Sequence, residues 1–177
     1  MADPRVRPGT RSEIGWINWI IAAIAGRVAG TTPPNLFLTL ARHRKLFRGW
    51  LRFAGRLMPR GTLPRTDTEL VILRVAHLRG SSYEFVHHVR LGRRAGLRNG
   101  HFEAIVRPLA EGPWSDRERA ILSAVDRLLT THDLDDESWA ALREHLDERA
   151  CIELVMLAGH YDMLATFLET LRVPPDA

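Results

Sequence analysis

Apolar residues recur along this chain at the three- and four-residue intervals of amphipathic helices, and no segment of useful length alternates as a strand would. Breaks fall at residues 30–34 (GTTPP), at residues 59–61 (PRG) and at Gly80. The pattern predicts an all-α, single-domain bundle of seven or eight helices over residues 13–177, preceded by a disordered segment, residues 1–12. The predicted helices cover residues 14–25, 36–58, 66–78, 81–95, 100–106, 115–129, 137–146 and 148–171.

Several predicted helix ends carry local stop or start signals. A Ser or Thr followed three positions later by Glu predicts a capping box, in which the two side chains bond the first free backbone amides. Gly96 predicts a left-handed C-terminal cap. The last helix is apolar around most of its circumference, which predicts burial in the core or between subunits. The three capping boxes are Thr66 with Glu69, Ser81 with Glu84, and Ser115 with Glu118.

Composition indicates a soluble globular protein, with 45% hydrophobic and 26% charged residues and a net charge of +4. The single cysteine, Cys151, excludes an intrachain disulfide and any two-cysteine redox cycle within one chain. Residues 1–12 lack the apolar core of a secretory signal, so we expect a cytoplasmic protein. The apolar segment Ile14–Ala25 is too short to span a membrane, which needs roughly 20 residues. It predicts a docking helix in the core or at a subunit interface, or alternatively a membrane-surface segment.

Arginines recur at four-residue spacing through the second helical region and form one cationic stripe. The stripe predicts a solvated face that pairs with acidic residues of neighbouring helices, or a surface that guides an anionic substrate. Nucleic acid is disfavoured, because acidic residues (21) are nearly as numerous as basic ones (25) and no recognition motif is present. The stripe consists of Arg44, Arg48, Arg52, Arg56 and Arg60.

Candidate chemistry is concentrated in residues 66–96, where a short loop at Arg79 and Gly80 predicts two antiparallel neighbouring helices. Glu84 and His88 share a face of the second helix. Glu69 lies in the first turn of the other, so its distance from His88 depends on how the pair packs. A carboxylate beside an imidazole holds its tautomer and favours a general base near neutral pH. Alternatively, the two glutamates cap their own helices, and the Glu84–His88 pair is a surface contact.

The block DTELVILRVAHLRGSSYEFVHHVRLGRRAGL, residues 67–97, resembles the carboxymuconolactone decarboxylase family, which includes the alkylhydroperoxidase D type proteins. The resemblance extends from about residue 34 to residue 174. The peroxidase branch of that family has Glu, eleven residues, Cys, two residues, Cys, three residues and His. The same spacing here joins Glu69, Ser81, Glu84 and His88, so Ser81 and Glu84 stand where that branch has its cysteines.

This resemblance implies proton chemistry without thiol chemistry. We expect a cofactor-independent enzyme that catalyses decarboxylation, isomerisation or proton abstraction on a small carbonyl or carboxylate compound. An anionic substrate fits this expectation. The catalytic candidates are Glu69, Glu84 and His88, and the substrate-binding candidates are Ser81, Tyr83, His87 and His160. The family also implies a homo-oligomer, a trimer or hexamer. We further expect no cofactor, no metal and no membrane span.

Two other functions stay open from the sequence: a non-catalytic oligomeric protein that binds a small molecule, and residual peroxidase activity that uses Cys151 or an outside thiol. Hydrolysis by Ser81, His88 and Glu69 is disfavoured because no nucleophile-elbow sequence surrounds the serine. A di-iron site is disfavoured because the Glu84-x-x-His87 spacing occurs once, whereas such bundles use two copies and two further glutamates.

Overall fold

The computed structural model describes residues 3–176, apart from the side chain of Ala29, and the regular secondary structure within them is helical, without strands. The all-α prediction is confirmed, although the described residues form ten α-helices, more than the seven or eight expected. The helices are α1 Arg11–Ile14, α2 Trp16–Ala29, α3 Asn35–Leu40, α4 Arg44–Leu57, α5 Arg65–Leu78, α6 Ser82–Ala95, α7 Asn99–Ala104, α8 Asp116–Thr131, α9 Asp136–Arg143 and α10 Glu148–Leu171, with one 3-10 turn at Leu109–Glu111.

The larger helix count arises mainly in the region predicted as one helix over residues 36–58. This region is divided into α3 and α4, because the backbone turns after Leu40 and the His43 ring accepts a hydrogen bond from the amide of Leu46 (3.2 Å) at the start of α4. A histidine is an uncommon N-cap, so residues 41–44 carry no start signal that local patterns could reveal. The separate four-residue helix α1 is the other helix that was not predicted.

The N-terminal segment makes defined backbone contacts from Arg5 onward. The Arg5 amide donates to the carbonyl oxygen of Leu171, and the Gly9 amide donates to that of Leu38 (3.0 and 3.1 Å). Met1 and Ala2, part of the segment predicted to be disordered, lie outside the described residues, as does Ala177. The division into segment 1–12 and domain 13–177 stays a prediction.

Two compact units make up the chain. The first contains the residues up to Gly55 together with those from Thr166 onward. Its core is built on Ile14, Leu40 and Phe47, and the Phe37 and Trp50 rings meet edge to face at 5.3 Å. The second unit, Arg56–Ala165, contains all the candidate site residues.

Helix α5 is the central element of the second unit. Every residue from Asp67 to Ala76 is buried, and the helix packs mainly against α6 and α8. The buried Arg74 guanidinium makes a bidentate pair with Asp126 of α8 (both 2.7 Å) and also donates to the carbonyl oxygens of Ile105 and Arg107. Because α5 is held on both sides, its polar residues have fixed positions in the interior.

Among the described residues, α10 is long and apolar enough to cross a membrane when length and composition alone are considered. Half of its most apolar window is buried in the protein. Core helices of soluble proteins meet the same criteria, so this resemblance to a span is weak evidence for one.

Candidate active site

Glu69 is a buried residue in the second turn of α5 and does not cap that helix. The helix begins at Arg65, with Pro64 at the N-cap position, so the predicted capping box of Thr66 with Glu69 is wrong. The N-cap, Pro64, lies two residues before Thr66, the N-cap that the Thr-x-x-Glu pattern suggests. The Glu69 side chain is therefore carried inward, and none of it is exposed.

Ser81 is the N-cap of α6, as predicted, but its side chain makes no capping bond. Its hydroxyl oxygen is buried and has no hydrogen-bond partner among residues 3–176. Glu84, the other half of the expected capping box, is also buried. The start of the helix was thus predicted correctly and the capping box was not, because both side chains face the interior. The third capping box, Ser115 with Glu118, is confirmed.

The packing of α5 against α6 brings Glu69 and His88 together. The turn at Arg79 and Gly80, where Gly80 takes a φ of 67°, reverses the chain, so the beginning of α5 lies beside the middle of α6. The Glu69 Oε2 atom lies 2.7 Å from His88 Nδ1. The other carboxylate oxygen, Oε1, lies 2.7 Å from Nη2 of Arg65, one turn earlier on α5. Glu69 therefore bridges a guanidinium and an imidazole.

Tyr161 of α10 lies against the His88 ring, and we call Arg65, Glu69, His88 and Tyr161 the cluster. The Tyr161 ring meets that of His88 edge to face, with the centroids 5.1 Å apart, and its hydroxyl lies 3.8 Å from the sulfur of Met58. Burial raises the pKa of Tyr161 well above its ordinary value, and the negative charges of Glu69 and Glu84 raise it further. The hydroxyl therefore stays protonated, and it donates its hydrogen bond to the Met58 sulfur, a weak acceptor. Because the charge of Glu84 acts on the Tyr161 hydroxyl, we count Glu84 as a member of the same cluster.

The remaining predicted site residues lie around this cluster. His160 is buried, with its ring 5.3 Å from that of Tyr161, and burial lowers its pKa to about 4, which keeps it neutral near pH 7. Tyr83 and His87, one turn apart on α6, are partly exposed and stack with their rings 6.4 Å apart. The His87 and His88 rings are 5.9 Å apart. The roles assigned to these residues stay predictions.

Two members of the cluster, Arg65 and Tyr161, were not among the predicted site residues. Arg65 precedes Glu69 by four positions, a spacing that brings two helical side chains together and that could have identified it. Tyr161 interrupts an apolar helix, which signals a polar contact, but its ring contact with His88 is tertiary and leaves no mark in the sequence.

Thiol and metal chemistry find little support in the surrounding side chains. Cys151 is fully buried, with its sulfur 3.9 Å from the carbonyl oxygen of Leu146. Among the described residues, no group of three or more His, Cys, Asp and Glu side chains is arranged to hold a metal ion. The arrangement instead suits proton transfer, because a carboxylate that accepts from Nδ1–H of a histidine leaves Nε2 as the basic nitrogen.

Comparison with known proteins relates part of the chain to a known family. The model of the carboxymuconolactone decarboxylase family matches residues 44–127, which include α5, α6 and most of α8. No curated protein sequence gives a significant match to the chain.

Solved structures share the fold of the whole chain. An uncharacterized peroxidase-related protein from Ralstonia eutropha JMP134, described as an alkylhydroperoxidase AhpD core, has a TM-score of 0.86 at 20% identity, over 98% of this chain and 94% of that one. A peroxidase-related protein from Silicibacter sp. TM1040 has a TM-score of 0.85 at 16% identity, over 100% and 96%. A variant of the debrominase Bmp8 in complex with 2,3,4-tribromopyrrole has a TM-score of 0.77 at 18% identity, over 97% and 91%. Residues 44–127 thus match the model of the carboxymuconolactone decarboxylase family, and the chain has the fold of AhpD-like proteins.

Proposed function

We propose that this protein is a cofactor-independent acid–base enzyme that moves a proton on a small carbonyl or carboxylate compound, with His88 as the proton-transferring group. The observation that carries the proposal is the 2.7 Å contact between His88 Nδ1 and the fully buried carboxylate of Glu69. A buried carboxylate in that position holds the imidazole in one orientation and tautomer, as the second residue of a general-base pair does.

The proposed reaction begins with His88 Nε2 taking a proton from the carbon next to a carbonyl group. The C–H bond breaks, an N–H bond forms, and the electron pair moves onto the carbonyl oxygen to give an enolate. The protonated hydroxyl of Tyr161 donates a hydrogen bond to that oxygen, where negative charge develops. Return of the proton to a different carbon isomerises the compound, and loss of carbon dioxide from a 3-oxo acid produces the same kind of enolate.

Glu84 and Ser81 complete the proposed site. Glu84 is a second buried carboxylate that acts on Tyr161, so it is suited to accept or return a proton in the same reaction. Ser81 offers a buried hydroxyl as a hydrogen-bond donor. The debrominase complex with 2,3,4-tribromopyrrole supports a substrate of small, compact size on this fold, although that protein is only 18% identical.

Solvent deuterium exchange tests the proposal whatever the final product of the reaction is. We expect the protein to catalyse deuterium incorporation from D₂O into at least one of a panel of small ketones, 2-oxo acids and 3-oxo acids, followed by NMR. The His88→Gln variant should lose about 100-fold or more of that rate, which is the usual contribution of a general base. His77→Gln, at an exposed position of α5, is the matched control and should keep the wild-type rate.

The other outcomes of this experiment separate the alternatives. An unchanged exchange rate in His88→Gln would contradict the proposed mechanism. Saturable ligand binding without exchange in any compound would favour a binding protein. Peroxide consumption that is abolished by Cys151→Ser would favour the antioxidant function.

A further inference from the structure

Arg65 is the member of the cluster that is most open to solvent. Its side chain is 36% exposed, whereas that of Glu69 is 0% exposed and that of His88 is 6% exposed. Arg65 is therefore the charged group of the cluster that a molecule in solvent can contact most readily.

Most of the hydrogen-bonding capacity of Arg65 is uncommitted. A guanidinium carries five N–H donors. One nitrogen, Nη2, contacts Oε1 of Glu69 at 2.7 Å, and no further partner of this guanidinium is found among residues 3–176. An arginine that only neutralised Glu69 would commonly use both nitrogens of its fork on the carboxylate. Arg65 instead makes one close ion-pair contact with Glu69, whose Oε1 atom accepts no hydrogen bond from residues 3–176, and its N–H groups are open to a second acceptor.

The position of Arg65 relative to the reacting groups is defined by two independent contacts. Arg65 and His88 bind the two oxygens of the same Glu69 carboxylate, so the guanidinium and the imidazole lie on either side of it. The positive charge of Arg65 also acts on the Tyr161 hydroxyl. A group bound to Arg65 would therefore lie close to both the proposed base and the proposed hydrogen-bond donor.

The charges of the cluster are a second reason to expect that Arg65 binds an anionic substrate. Glu69 and Glu84 are both buried beside Tyr161, and ionised carboxylates repel an anionic substrate. Arg65 supplies a positive charge at the same place, in the planar geometry that matches a carboxylate.

The main chain that leads into Arg65 is anchored in advance. The carboxylate of Glu153 on α10 accepts hydrogen bonds from the amides of Thr62 and Leu63, the latter at 3.0 Å. These bonds hold the loop that precedes α5 against α10. Substrate binding therefore does not need to order that loop first, and less binding energy is lost to conformational entropy.

We propose that Arg65 binds the carboxylate of the substrate, so that the substrates of this site are small carbonyl acids held by Arg65 with their reacting carbon at His88. The reaction in this statement rests on the function proposed above, whereas the carboxylate binding does not. If Arg65 only balances the charge of Glu69, its removal changes the base and affects charged and uncharged compounds alike. If it binds the substrate carboxylate, its removal affects only the charged compounds.

The experiment compares acids with their uncharged methyl esters. The probes are pyruvate, acetoacetate, 2-oxoglutarate and benzoate, each with its methyl ester. Benzoate and its ester have no hydrogen on a carbon next to the carbonyl group, so they report binding without deuterium exchange. Binding to the full-length protein is measured by NMR titration, and deuterium exchange is measured on the same samples. The variants are Arg65→Gln, Arg65→Lys and the matched control Arg117→Gln. Arg117 has the same 36% side-chain exposure and also pairs with a carboxylate of α5, that of Asp67.

We expect the wild-type protein to bind at least one acid more tightly than its ester. Arg65→Gln should weaken binding of that acid about 10- to 100-fold, the usual value of a charged hydrogen bond, and leave the ester unchanged. Arg65→Lys should restore part of the loss, and Arg117→Gln should keep the preference. The inference is overturned if the wild-type protein has no preference for any acid, or if the preference survives in Arg65→Gln. A preference for carboxylates without deuterium exchange would refute the proposed function and support the Arg65 binding site. Deuterium exchange without such a preference would refute the Arg65 binding site and support the proposed function.

Discussion

The Tyr161 hydroxyl is useful as a hydrogen-bond donor only while it keeps its proton. Burial and the charges of Glu69 and Glu84 favour the neutral form, because a phenolate there would be desolvated and would face two carboxylates. Arg65 acts in the opposite direction, with a smaller effect. The balance decides whether the proposed enolate oxygen meets a donor or a repelling anion.

We therefore predict that Tyr161 does not ionise in the folded protein at pH values near 10, its ordinary pKa. The chain has two tyrosines, so an ultraviolet titration should show one tyrosinate, that of Tyr83, before alkaline unfolding. Tyr161→Phe should give the same curve as the wild type over this range. Because the unfolded state loses its Tyr161 proton near pH 10 and the folded state keeps it, stability should fall as the pH rises above that value. Ionisation of both tyrosines near pH 10 in the folded protein would contradict this prediction.

His160 gives an opposite pH dependence on the acid side. Burial lowers its pKa from 6.5 to about 4, so the unfolded chain binds a proton in this interval and the folded protein does not. The contribution to stability is complete above pH 6.5 and is lost as the pH falls towards 4, by at most about 3 kcal/mol. Urea unfolding at several pH values should show a smaller loss in His160→Gln than in the wild type. Parallel curves for the two proteins would refute the assignment.

At the scale of helices, the position of α5 depends on ionic contacts with α8. Arg74 is almost fully buried, with 7% of its side chain exposed, whereas its partner Asp126 is 31% exposed. Removing Asp126 leaves a buried guanidinium that still donates to the carbonyl oxygens of Ile105 and Arg107. Removing Arg74 instead leaves those carbonyls without their donor and opens a cavity.

We predict that Arg74→Ala lowers the free energy of unfolding by about 3 kcal/mol or more, because it breaks a buried ionic network and removes a buried side chain. Asp126→Asn should lower it less, since the amide keeps one acceptor and reaches solvent. Chemical denaturation of both variants checks the order. A larger loss in Asp126→Asn would show that the ion pair outweighs the carbonyl contacts.

The predicted helices succeeded where the local sequence decides the structure and failed where packing does. Gly96 has a left-handed conformation, with φ of 107°, and α10 spans the predicted 148–171, because a cap and a long apolar run are local properties. The Ser-x-x-Glu pattern has the same form in α6 and α8. In α8 both side chains face solvent and form the capping box, whereas in α6 they face the interior. Which face a helix buries depends on its neighbours, and no local pattern states it.

The site shows the same division. The resemblance to the family indicated Glu69 and His88, whereas spacing left their distance open, and their contact required that two consecutive helices pack as an antiparallel pair. Tyr161 comes from a helix more than 70 positions later in the chain. The tertiary fold places it on the His88 ring, a contact that no local pattern in the sequence indicates. The neighbouring His160 was predicted to bind substrate, and it is Tyr161 that contacts the imidazole.

The Arg stripe is exposed along α4 and has partners at its N-terminal end. Arg44 donates to the carbonyl oxygen of Glu13 (2.8 Å), and Arg48 contacts Asn18 (3.4 Å). These contacts lie within the first compact unit and explain part of the stripe as structural. A role in guiding an anionic substrate stays a prediction for the other members.

At the scale of the whole molecule, the distribution of exposed apolar residues supports the expected homo-oligomer. On α10, Ile152, Met156 and Met163 are 58%, 46% and 52% exposed. With the exposed Gly159 between them, their spacing of four, three and four residues makes one continuous stripe on the helix. Isolated exposed apolar residues are ordinary, but a contiguous stripe marks an interaction surface.

We predict that the protein associates through this α10 stripe into a trimer or hexamer. Each Met or Ile side chain removed from water contributes about 1.5–3 kcal/mol, so a lysine at the centre of the stripe should weaken association at least tenfold. Sedimentation velocity should therefore show smaller species for Met156→Lys than for the wild type at equal concentration. Glu144→Gln, which changes the net charge by the same amount at an exposed position of another segment, should sediment as the wild type does. A monomeric wild-type protein would refute the predicted assembly, and an unchanged Met156→Lys oligomer would exclude the α10 stripe as its interface.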